Sequence, residues 1–336
     1  MQLIRHFTDN HDILRYVLIP PKRPSRRSEE VSSRPDPLLC AVQIVLAPRL
    51  FELDYMQGHF SFPVSQSIVY GSAEEIPIFT GCNGLDVNME WLLHQVNFWK
   101  YHMLREEECS LFKPYTDLED DERPRFWSEQ LTQGYNQLGK HWKGSYAYLD
   151  RGVINSIRRG HDQNEQIPDE FNGEIDTGSF QDLLLGFVDE DEAPWPPAFE
   201  QHLRSLAPPV NRAKTRAQHR SATPEGLAGF KPVSFEFEGE GHDASEDFLA
   251  QGWLNALPTQ HGIPGWQRMT MMKYFTDPQT GEIDQDALWA YEGVVLPGGQ
   301  MMLGRWWSPN DGTGENMYSG PFILWCVDGP VEASDG

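Results

Sequence analysis

Cysteine is scarce in this 336-residue chain, with four in total. Cys40, Cys82, Cys109 and Cys326 lie far apart, with no C-x-x-C pair and no zinc spacing, which fits reduced thiols of the cytosol or nucleus. Long apolar runs are missing too. None approaches the ~18 residues needed to span a bilayer, and Met1 to Asp9 contains no stretch of signal-peptide length. A cytoplasmic or nuclear protein is expected, with no membrane partner. Positive charge is in short supply: 27 Lys and Arg stand against 50 Asp and Glu, a formal net charge of −23. That balance argues against nucleic acid as a partner, because phosphates are held mainly by Lys and Arg. Neither a P-loop, G-x-G-x-x-G, G-x-S-x-G, H-E-x-x-H nor an EF-hand loop occurs. The sequence therefore assigns no catalytic residue, no metal ligand and no cofactor.

What the chain does contain is unevenly placed. From Pro232 to Gly336 the cations are Arg268, Lys273 and Arg305, against 16 acidic side chains. The same stretch holds Trp253, Trp266, Trp289, Trp306, Trp307 and Trp325, six of the 11 tryptophans. The acidic run Asp117 to Glu122 reads as a solvated face.

Three segments read as loops: 20–37, 155–178 and 208–231. The basic clusters at Arg26-Arg27 and at Arg212, Lys214, Arg216 and Arg220 are alike short localisation signals or solvated linkers. In the first 140 residues, 13–19 and 38–46 read as strands, with shorter ones at 59–62 and 67–70. Met89, Leu92, Val96, Trp99 and Met103 recur at helical spacing after Asn88, which predicts an amphipathic helix over 88–106. Trp127, Leu131, Tyr135 and Leu138 predict a second over 124–139, and Phe199, Leu203 and Leu206 a short third. From His141 onward the period becomes two. Strands are expected at 141–148, 233–238, 248–254, 266–275, 288–296, 301–307 and 322–327. The turn Pro297-Gly298-Gly299-Gln300 joins the fifth to the sixth, its paired glycines supplying positive φ. Evenly spaced strands of this kind favour a closed barrel or sandwich. The expected fold class is α+β, organised as a mixed region over 1–140, an antiparallel barrel over 141–328 interrupted by an insertion at 155–230, and a tail at 329–336.

The landmarks run Trp142-x-Gly144-x-Tyr146, Phe237-x-Gly239-x-Gly241-x-Asp243, Phe248-x-x-x-Gly252, Met271-x-Lys273, Tyr291-x-Gly293, Gly304-x-Trp306 and Gly320-x-Phe322-x-x-Trp325. The ordered series resembles calycin-like (lipocalin-like) β-barrel modules, including a fungal protein family of unknown function. It is loosely similar to the C-terminal barrels of F-box substrate receptors of SCF ubiquitin ligases. The likeness covers about 141–328, outside the insertion, and no F-box is recognisable in the first 50 residues. It implies a recognition or adaptor role, with a ubiquitin-ligase component as one candidate partner.

Charged residues inside apolar strands are the candidate site. Met269, Met271, Lys273 and Phe275 share a face by alternation, as do Leu303, Arg305 and Trp307, and Ala290, Glu292 and Val294. If those faces line the barrel, Lys273 and Arg305 need partners, because desolvating a cation is costly. Glu292 is the internal candidate and a small acidic ligand the external one. The aromatic residues Tyr146, Tyr291, Trp306 and Trp325, with Trp253, read either as barrel core or as the wall of a ligand cage. His242 and Asp243 sit side by side after Gly239-x-Gly241, but adjacent strand residues face opposite ways, so they are not expected to converge, and a tight turn between strands is the expected reason for the glycines. Three functions compete: a non-enzymatic binding module whose barrel mouth takes a peptide end or small acidic ligand on these residues, a filled barrel whose helices at 88–106 and 124–139 dock a partner, and an enzyme with a dispersed active site. A recognition or adaptor role is the one expected.

Overall fold

The computed structural model describes residues 36–52, 61–81, 84–106, 111–127, 129–134, 138–162, 180–187, 196–203, 234–243, 246–277, 279–311 and 317–328. The expected strand at 13–19, nearly all of the 20–37 loop, both basic clusters, most of the 155–230 insertion and the 329–336 tail lie outside these residues. No helix among the described residues is long and apolar enough to cross a membrane.

The described N-terminal part is mostly helical. Helix α1 (Pro37–Val45) starts on Asp36, whose carboxylate accepts from the Leu38 and Leu39 amides at 2.9 and 3.1 Å, with Pro37 in the first turn. The strand expected at 38–46 is thus a helix: the cap and the proline outweigh its apolar, β-branched content. Helix α2 (Ala47–Glu52) follows. Helix α3 (Phe62–Tyr70) replaces the strand expected at 67–70 and begins after Ser61 with Pro63 in its first turn. A short hairpin, β1 (Phe79–Thr80) and β2 (Asp86–Val87), leads to α4 (Met89–Leu104), where Asn88 accepts from the Trp91 amide at 3.1 Å. Here the helical periodicity is borne out, with Trp91, Leu92, Val96, Trp99 and Met103 all buried. Helix α5 (Phe112–Thr116) is a single turn or so.

The second long helix, expected over 124–139, does not form; its described residues are irregular. Pro124 opens the segment, and Gly134 has φ 105°, outside the helical region. Trp127 packs on the Gly298 turn, while Leu138 enters the barrel.

Strands β3 (His141–Tyr146), β4 (Gln181–Phe187), β5 (Ser234–Asp243), β6 (Glu246–Ala256), β7 (Gln267–Tyr274), β8 (Trp289–Val295), β9 (Met301–Trp307) and β10 (Ser319–Cys326) form a closed antiparallel barrel. Each pairs with the next, and β10 returns to β3 with Leu324 opposite Gly144. The α+β class and the closed barrel are as expected from the sequence, with eight strands in place of seven. The added strand, β4, lies inside the supposed insertion. Helix α6 (Arg151–Asp162) starts before the insertion and runs into it, so residues 155–162, expected as loop, are helical; helix α7 (Pro197–Leu203) lies within it. The β8–β9 turn carries positive φ at Gly298 and Gly299, 96° and 70°.

Gly239 and Gly241, expected in a tight turn, lie instead within β5, paired with Ala250 and Phe248, and the landmark glycines are explained by the interior. Phe248 lies over Gly241 and Phe322 over Gly304, both pairs directly opposite in register, and a Cβ on either glycine would come within 2.3 Å of the ring. Rings thereby fill the middle of the barrel, and Leu138, Trp142, Met302 and Cys326 close one end. Outside, α3 packs on β10, α4 on β9, and α7 on β7 and β8. One apolar cluster runs from Cys40 and Trp99 to Leu303 and Trp325, so this part of the barrel's outer face is as dry as its inner one.

Candidate functional site

The other end of the barrel is open. There β3, β5, β7 and β9 end, and β6, β8 and β10 begin, around a pocket of about 300 Å³. Trp306 anchors the wall by donating its indole N–H to the Ala147 carbonyl at 3.1 Å. Its ring makes edge contacts with Tyr146, Trp289 and Tyr318 at centroid separations of 6.2, 5.4 and 5.3 Å. Tyr318 in turn donates to the Leu149 carbonyl at 3.1 Å, and Tyr148 stacks on Tyr146. These contacts fix the aromatic faces without any ligand.

Lys273 enters this aromatic enclosure from β7. Its ammonium is ion-paired and hydrogen-bonded to Asp243 Oδ2, and the same oxygen accepts from the Tyr146 hydroxyl at 2.9 Å. The ammonium also lies 4.1 Å from the Phe248 ring centroid and 5.1 Å from that of Tyr146. Burial lowers the pKa of the Lys273 amine, and the charge and hydrogen bond of Asp243, then the charge of Glu246, oppose that shift. Burial, then the proximity of Tyr146 and Asp243, raises the Tyr291 phenol well above its ordinary value, so it stays protonated at neutral pH. Glu246, opposite Asp243 across the β5–β6 hairpin, completes the lining.

Of the residues expected at the site, Lys273, Tyr146, Tyr291 and Trp306 meet in this pocket. Arg305, Glu292 and Trp325 do not: all three face outward, toward the surrounding layer. Arg305 donates to the carbonyls of Gly71 and Ile76 at 3.0 and 3.2 Å and lies over the Trp91 ring. Burial, then Arg158, lowers its pKa to about 10, so it remains a cation. Glu292 stands opposite Arg305 in register but forms its ion pair with Arg268, so the internal partner expected for Lys273 is Asp243 instead. Trp325 donates to the Glu122 carbonyl at 2.7 Å. Trp253 is likewise outside, packed with Phe199.

Sequence reasoning missed Asp243, Glu246, Tyr148, Phe275, Trp289 and Tyr318. For Asp243 a signal existed. It continues the alternation Phe237, Gly239, Gly241, and so takes the interior face. His242 points the other way and meets Asp247 at 2.8 Å, so the two neighbours indeed diverge. Tyr148 had a signal as well, since alternation along the expected strand 141–148 puts it on the face of Tyr146, and both line the pocket. Tyr318 lies before β10 begins, where alternation carries no information.

Two other features bear on chemistry. A concavity of about 700 Å³ runs along the outside of β4, β5 and β6, with exposed Leu184 and Leu249. Ser65 Oγ and His94 Nδ1 are 3.1 Å apart inside the helical layer, a pairing that suits a nucleophile and its base. Both are buried, neither described pocket reaches them, and burial lowers His94 to about 3, too low for a base at neutral pH. Among the described residues no group of three or more His, Cys, Asp and Glu side chains is placed to hold a metal ion. No protein-family model, curated protein or solved structure matches this chain.

Proposed function

We propose that this protein is a non-enzymatic recognition module that takes one small molecule, or one side chain of a partner protein, into the barrel mouth. The observation that carries this reading is a preformed aromatic pocket of about 300 Å³ with a buried Lys273–Asp243 pair at its base. That volume is at the small end for ligand sites, and apolar walls with a few polar groups are their usual make-up. Lys273, Asp243 and Tyr146 are engaged with one another, which fixes their positions at the base of the pocket. Helix α4 is buried along its apolar face, which weighs against its use for docking. The landmark series, similar to the C-terminal barrels of F-box substrate receptors, supports a receptor role in which the ligand belongs to a protein substrate. Co-purification of SCF components with the full-length chain tests that extension.

A neutral fluorescent aromatic, 1-aminoanthracene, tests the pocket itself. Saturable one-to-one binding is expected, weakened about fivefold by Trp289→Ala or Tyr148→Ala, which remove half-buried wall rings. Binding that neither substitution alters would overturn the reading.

A further inference from the structure

We infer that the ligand of this pocket is a small organic cation, an alkylated ammonium in particular, rather than an acid; this rests on the pocket reading above. Three charged side chains line the cavity. Lys273 and Asp243 neutralise each other. The Glu246 carboxylate has no ion-pair or hydrogen-bond partner among the described residues and lies exposed at the lip. The pocket therefore keeps one excess negative charge. An acid entering it would meet that charge and would have to displace Asp243 from Lys273.

The ring arrangement points the same way. Trp289 opens β8, Tyr148 lies just beyond β3, and Tyr318 lies just before β10, so these aromatic faces line the lip across the mouth from Glu246 at the start of β6. Ring faces attract cations, most strongly where water is excluded. Deeper in the cavity the chain supplies its own example: the Lys273 ammonium lies over Phe248 and Tyr146 with a carboxylate beside it. Tyr148, Trp289 and Tyr318 offer ring faces further out, and Glu246 a carboxylate across the same mouth; its charge acts on Lys273, but its oxygens are paired with no cation among the described residues. The few cations of this acidic part of the chain leave no strong positive field to repel such a ligand.

Calorimetric titration of the full-length protein with three molecules of one shape separates the possibilities: choline, its neutral carbon isostere 3,3-dimethylbutan-1-ol, and 3,3-dimethylbutanoate. Choline is expected to bind about tenfold tighter than the alcohol, with no detectable binding of the carboxylate. Glu246→Gln, an exposed substitution, should weaken choline about threefold and leave the alcohol unchanged. If the alcohol or the carboxylate binds as tightly as choline, or Glu246→Gln leaves choline unchanged, cation selectivity is overturned while the pocket stands. If none of the three binds although 1-aminoanthracene does, the cation inference again fails alone. If 1-aminoanthracene also fails, the pocket reading falls with it.

Discussion

Lys273 and Arg305 sit in the same barrel wall and are equally buried, each 3% exposed, yet they face opposite sides of it. Arg305 is outside, under the helical layer, where backbone carbonyls and the Trp91 ring surround its guanidinium. Its Nη2 donates to both of these fixed acceptors, and no described pocket reaches it. Lys273 is inside, paired with a carboxylate and ringed by aromatics, but next to an opening. Equal burial thus conceals two different roles: one cation ties the helices to the barrel, and the other forms the base of a cavity.

The largest effect expected from breaking this contrast is at Arg305. Arg305→Leu leaves two carbonyls without a buried donor and should cost about 4 kcal/mol in urea unfolding. Where the variant remains folded, its affinity for 1-aminoanthracene should stay within twofold of the parent. Lys273→Met should cost less, about 2 kcal/mol, because water entering the pocket can solvate the Asp243 left behind. Adding Asp243→Asn should recover most of that loss, while probe affinity changes in both variants. A loss as large as that of Arg305→Leu, with no recovery, would show that the mouth is sealed like the outer layer.

Gly304→Ala probes the interior packing between these two cations. Its new methyl would meet the Phe322 ring and the Glu292 carbonyl, and the expected cost is about 1–3 kcal/mol by thermal or urea unfolding. A pH-dependent effect belongs to the helical layer. His102 packs among Phe62, Phe98 and Tyr101, has no hydrogen-bond partner on either ring nitrogen among the described residues, and is lowered by burial to about 3. Between pH 6.5 and 3 the unfolded chain takes up a proton there that the folded chain refuses, so stability falls as pH falls. His102→Leu should remove about 1.4 kcal/mol per pH unit from that slope. Urea midpoints at pH 7 and pH 5 check it, and an unchanged difference between parent and variant would refute the assignment.

Much of the barrel was legible in the chain. Alternating residues, the Gly298-Gly299 turn and the glycine–aromatic landmarks located seven of its strands because local geometry alone demands them. Strand β4 was hidden by Leu183-Leu184-Leu185, whose apolar run masks the alternation that puts Leu184 outside. Helices α1 and α3 were read as strands because their β-branched residues favour extended structure in isolation. Burial against α4 and the N-terminal prolines decided otherwise.

The candidate site was legible only in part, for a related reason. Alternation sorted Lys273 from Arg268, and Arg305 from Trp306, onto opposite faces of their strands. It did not say which face was the interior, since β7, β9 and β10 are buried on both sides and read as nearly continuous apolar runs. By itself the sequence determined the strand periodicity, the Gly298-Gly299 turn and the scarcity of positive charge. Closure of the sheet and its helical cover decided the rest, sending Arg305 and Glu292 outward and bringing Asp243 to Lys273 across 30 residues of chain. Those two are brought together by the pairing of β5, β6 and β7, a long-range register that no local pattern encodes.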